Sequence, residues 1–96
     1  MAENPLKWTS DTVERELRQK GYDYLKTAAR GSHIVIYTEE NGEKVNRSRL
    51  TKLKGDTFML GMADHRGNWE PTPYEGNVKE LISMLTEQFP WALTKW

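Results

Sequence analysis

Ninety-six residues match the size of one domain and exclude two independent cores. Charged residues make up 29% and hydrophobic ones 36%, but four Trp, four Tyr and two Phe fall with the aliphatics in periodic blocks, which excludes a wholly disordered chain. The absence of cysteine excludes disulfides and thiolate metal sites. With no apolar run near membrane-span length and no basic-then-apolar start, it predicts a cytoplasmic protein without a membrane partner.

Residues 1–8 read as a short arm. A first helix is predicted from Thr9 or Ser10, with Thr9 as N-cap and Trp8 and Val13 as a hydrophobic staple. Asp11 and Glu14 suit the positive end of the helix dipole. Gly21 is placed to end this helix at positive φ. A weakly alternating strand is predicted from Tyr22 to Ala28, and a turn at Arg30-Gly31-Ser32. His33–Thr38 is the clearest strand, rich in β-favouring Ile34, Val35, Ile36 and Tyr37.

Asn41-Gly42 is a type I′ hairpin signal, since both residues tolerate positive φ. A two-residue loop pairs Glu40 with Glu43, Thr38 with Val45, Ile36 with Arg47 and Ile34 with Arg49. That register puts His33, Val35 and Tyr37 on one face with Asn46, Ser48 and Leu50. After a turn at Lys54-Gly55-Asp56, Thr57–Ala63 reads as another strand. A turn-rich Asp64–Asn68 follows, then Trp69, which opens at most a short strand, because Pro71 and Pro73 interrupt a regular ladder.

The last helix is the best specified. Asn77 and Glu80 form a capping-box pattern, and Val78, Leu81, Ile82, Leu85 and Phe89 make one apolar stripe that Pro90 ends. Trp91-Ala92-Leu93 is expected to fold back on the core. The expected fold is α+β, α-β-β-β-β-α: one domain, with an antiparallel three- to four-stranded sheet, both helices on one face and the other face open.

Charge is balanced overall, 14 basic residues against 14 acidic, but unevenly spread. Residues 1–55 hold 11 basic and 8 acidic groups, and residues 56–96 hold 3 and 6. Lys44, Arg47, Arg49, Lys52 and Lys54 occur within eleven residues free of acid, a run suited to phosphates. The plainer reading of the same run is a solvated strand whose long stems pack over Ile34 and Ile36. Trp69, Tyr74, Trp91 and Trp96 are core or rim material, or else a stacking surface for bases or a protein partner.

Motifs for phosphate loops, dinucleotides and zinc-protease helices are missing, so no cofactor is expected. His33 and His65 lie in separate segments whose spacing defines no metal site.

One constellation remains. Leu17, Gly21-Tyr22, Gly31-Ser32-His33, Asn41-Gly42 and Val45 follow one another in an order that resembles the first half of HicA-type toxins, small RNA-cleaving proteins with a double-stranded-RNA-binding-domain-like fold. The resemblance spans about residues 13–45. It implies RNA as partner and His33 as the catalytic residue, an imidazole assisting phosphodiester cleavage. From Arg47 to Tyr74 the chain departs from that pattern, with an extra basic strand and a Trp/Pro-containing loop. Three expectations result: a nucleic-acid-binding module, a protein-interaction or regulatory domain using the aromatic second half, and a ribonuclease using His33.

Overall fold

The computed structural model describes residues 5–64, 66 and 68–89. His65 and the segment from Pro90 to Trp96, with Trp91 and Trp96, lie outside the described residues. Helix α1 (Lys7–Gln19) is followed by strands β1 (Lys26–Arg30), β2 (His33–Glu40), β3 (Glu43–Lys54), β4 (Thr57–Ala63) and β5 (Trp69–Gly76), then helix α2 (Val78–Gln88). The strands form one antiparallel meander in the order β1-β2-β3-β4-β5. The α+β class holds, with five strands where three to four were expected.

The helices form for different local reasons. At α2, Asn77 accepts from the Glu80 backbone N–H at 2.8 Å and Glu80 accepts from the Asn77 N–H at 3.2 Å, closing the expected capping box. Helix α1 begins earlier than expected, after Leu6, with no side-chain cap. Leu6, Ser10, Val13 and Leu17 share its buried face, so Leu6 anchors the N-terminus and Trp8 is left 76% exposed. The staple between Trp8 and Val13 therefore does not form. At the other end Gly21, at φ 95°, completes a Schellman motif: its N–H reaches the Arg18 carbonyl, and the Tyr22 N–H reaches that of Leu17. Tyr22–Leu25 is a turn rather than the start of β1, and Leu25 drops into the core.

The core lies between the two helices and one face of the sheet. It joins Leu6, Val13 and Leu17 of the first helical segment, Ile34, Ile36, Leu50, Phe58, Leu60 and Met62 of the sheet, and Leu81, Ile82 and Leu85 of α2. No described helix is long and apolar enough to cross a membrane.

Both sheet edges are closed. On β1, the Glu14 carboxylate accepts the Thr27 N–H at 3.1 Å, and the Thr27 hydroxyl donates to the Ser10 carbonyl at 2.9 Å, tying α1 to the edge. On β5, Pro71 and Pro73 lack N–H groups, and the ladder with β4 shifts between Met59 and Gly61. There the Thr72 hydroxyl donates to the Leu60 carbonyl at 2.7 Å in place of a backbone bond. This is how a fifth strand tolerates two prolines: it is an edge strand with a side-chain substitute in its ladder.

Candidate nucleic-acid interface

The hairpin between β2 and β3 decides which basic residues meet. Near the turn its register is the expected one, Glu40 opposite Glu43 and Thr38 opposite Val45, with Asn41 and Gly42 both at positive φ. Farther along, Tyr37 faces Asn46 but Ile36 faces Ser48, so Arg47 is the extra residue of a β-bulge. Every later side chain of β3 is then moved to the opposite face from the one a regular ladder predicts. Ser48 and Leu50 enter the helix side, and Arg49 and Thr51 join Asn46 on the open side.

The bulge carries Arg47 inward. Its side chain is fully buried, donating from Nε to the Thr38 hydroxyl at 3.3 Å and pairing with Glu40 at 3.1 Å. A guanidinium in that position serves the fold, so Arg47 does not stand where a surface phosphate contact would. Lys52 also falls on the helix side, at the rim of a groove with Leu6, Phe58 and Lys79. Lys54 is exposed where β3 meets the turn at Gly55. Of the five residues expected to act together, the open face keeps two, Lys44 and Arg49.

Other residues join them. On this face His33, Val35 and Tyr37 of β2 lie beside Arg30 of β1 and Asn46 of β3, and Trp69 stands on β5. The Lys44 ammonium sits 4.3 Å from the centre of the Tyr37 ring, and the Arg49 guanidinium 4.7 Å from that of Trp69, both within cation–π range. Gly61 makes the second contact possible. Arg49 lies across β4 at this point, and a Cβ on Gly61 would sit only 3.3 Å from Arg49 Cγ. A hollow of about 340 Å³ opens here, lined by Arg30, His33, Val35, Lys44, Asn46, Arg49 and Trp69 and, among the described residues, by no carboxylate. The face does carry acids farther out: Glu39, held by Lys26 at 2.7 Å, and Glu75 opposite Met59. The Lys26 ammonium lowers the Glu39 pKa through that hydrogen bond and its charge, keeping the pair ionised.

His33 is half-buried, and its Nδ1 lies 2.8 Å from the Thr51 hydroxyl. Burial pushes its pKa below the ordinary value and the charge of Arg49 adds to the shift, so the ring is neutral near pH 7. The described lining supplies no carboxylate to act with it as an acid–base partner. Among the described residues no cluster of His, Asp and Glu is placed to hold a metal ion.

Sequence reasoning missed Arg30, and it placed Tyr37 and Asn46 on the face of His33 without naming them as binding residues. The alternation of His33, Val35 and Tyr37 held the signal for Tyr37. Arg30 was hidden by its reading as a turn residue. Trp69 was flagged as a stacking candidate and lies in the hollow. Tyr74, flagged with it, packs instead against the core and the Phe89 ring at 5.6 Å. Compared with known protein families, curated proteins and solved structures, the chain has no significant match.

Proposed function

We propose that this chain is a small RNA-binding module that works through the open face of its sheet. The observation that carries the reading is the hollow lined by Arg30, Lys44, Arg49 and Trp69 and, among the described residues, by no carboxylate. Cations meet phosphates there, and ring or guanidinium planes offer stacking surfaces to bases. Because both sheet edges are closed by α1 and by prolines, a partner has the face to use rather than an edge. The preference for RNA comes from the resemblance of residues 13–45 to HicA-type toxins. His33 enters as a binding group. The groups beside its imidazole are the Thr51 hydroxyl and the Arg49 guanidinium, which suit binding and not acid–base cleavage.

Fluorescence anisotropy of a labelled RNA octanucleotide at low and at physiological salt tests this. Three phosphate contacts predict a log–log salt slope of about −2, and Lys44→Ala should make it shallower by roughly 0.7. Absent or salt-insensitive binding would overturn the reading. A protein-interaction role rests on a different surface, the exposed Trp8 on α1. Undiminished RNA binding in Trp8→Ala separates the two.

A further inference from the structure

We infer that the hollow seats one unpaired nucleotide, so that the ligand of the open face is a single strand. This rests on the nucleic-acid reading above and narrows it. The hollow has two chemically different ends. At the β1–β2 turn it offers Arg30 and its register partner His33, while Lys44 reaches in from the β2–β3 hairpin over Tyr37. Toward β5 it offers the Arg49 guanidinium over the Trp69 ring, 4.7 Å from its centre. A phosphoryl group suits the Arg30–His33 end, where cross-strand partners offer nitrogen groups and no carboxylate is among the described lining residues. A base suits the second, because a guanidinium with one side on an aromatic ring can take a second planar group on the other.

Asn46 lines the hollow between these ends, and its amide has both donors and an acceptor for a base edge. The volume, about 340 Å³, lies at the small end of the range that bound ligands occupy. A duplex cannot use such a site. Its bases are stacked inward, and the shallow groove of A-form RNA meets proteins through hydroxyls and phosphates. Only a base already out of the stack reaches the Arg49–Trp69 pair.

The test uses amide NMR spectra of the full chain titrated with uridylate, adenylate, the matching nucleosides and inorganic phosphate, beside anisotropy of the octanucleotide and its duplex. The monophosphates should shift amides of β2, β3 and Gly61 together with the Trp69 indole, and bind at least about tenfold more tightly than phosphate alone. Arg49→Lys keeps the charge and removes the plane. It should bring the ratio of monophosphate to phosphate affinity toward one while the other resonances stay in place. Phosphate binding as well as the monophosphates, shifts that fall away from the hollow, or a duplex that binds as well as the single strand would each overturn the inference. In those cases persistent octanucleotide binding would leave the broader reading intact. Loss of all binding at low salt would overturn both.

Discussion

Ile34, Ile36 and Thr38 of β2 are sealed beneath the helices, while His33, Val35 and Tyr37, the residues between them, stay half-buried on the other side. β4 repeats the pattern. Phe58, Leu60 and Met62 are in the core, and Met59, Gly61 and Ala63 look outward. The same backbone thus carries two surfaces under different constraints. The covered face needs volume and satisfied polar groups: the buried Ser48 hydroxyl donates to the Gly61 carbonyl at 2.8 Å, and Arg47 is paired with Glu40. On the open face, charge and planar rings are tolerated because water meets them. The contrast separates substitutions that unfold the protein from those that change what it binds.

Ile36 and Val35 give the sharpest test, being neighbours on opposite faces. Ile36→Ala should destabilise by roughly 2–5 kcal/mol, since the closed core has little room to collapse around the lost atoms. Val35→Ala, half-buried at the start, should cost about 1 kcal/mol. Urea titrations of the two variants decide it, and equal costs would mean that the faces are assigned wrongly.

Arg47 and Arg49 extend the comparison to charge. Arg47→Ala should lose about 3 kcal/mol, because it strips the Glu40 carboxylate of its buried partner and empties the bulge. Arg49→Ala should change stability by less than about 1 kcal/mol, the worth of a partly exposed cation–π contact. In anisotropy the order should reverse. Under the proposed function, Arg49→Ala should weaken RNA binding about tenfold, while Arg47→Ala, where still folded, should leave it nearly unchanged.

These two arginines also show where the sequence was readable. The turn signals were strong: Asn41-Gly42 set the hairpin, Gly21 ended α1, and Asn77 with Glu80 started α2, each through local geometry that its residue types favour. Position 47 had no such signal. A bulge depends on how distant parts pack, and nothing in Asn46-Arg47-Ser48 marks the inserted residue. One extra residue then moved Arg49 from the helix side to the open side. The candidate site was therefore legible in composition, as a basic strand with aromatics nearby, but not in membership. β5 was under-read for a related reason, because the rule against proline in strands relaxes at an edge, and edge position is a property of the whole sheet.

The layer above the sheet offers a smaller effect. Asn77→Ala removes the capping box of α2 and should cost about 1 kcal/mol, whereas Thr9→Ala, inside α1 and without a capping role, should be neutral or stabilising by a few tenths, Ala being the better helix former. Neither touches the open face, so RNA affinity should not follow stability in this pair. Thermal melts and anisotropy on the same samples check both parts.

The smallest effect is expected from His33, and its sign should differ between stability and the proposed RNA binding. Burial and Arg49 hold the folded imidazole below its ordinary pKa, so the unfolded chain takes up a proton first as pH falls. Between the ordinary value, about 6.5, and the lower folded value, stability should decline as pH drops, then level off once both states are protonated. His33→Gln should remove that drift from urea titrations run across the window, and subtracting its curve from the wild type isolates His33 from His65. RNA binding should move the other way. A proton on His33 adds a cation to a hollow that already holds Arg30, Lys44 and Arg49, so affinity should rise as pH falls through the same window, and should stay flat in His33→Gln. Falling stability with rising affinity is what a partly buried base at a phosphate site produces. A His33 that only packs against Thr51 would change stability with pH and leave affinity where it was.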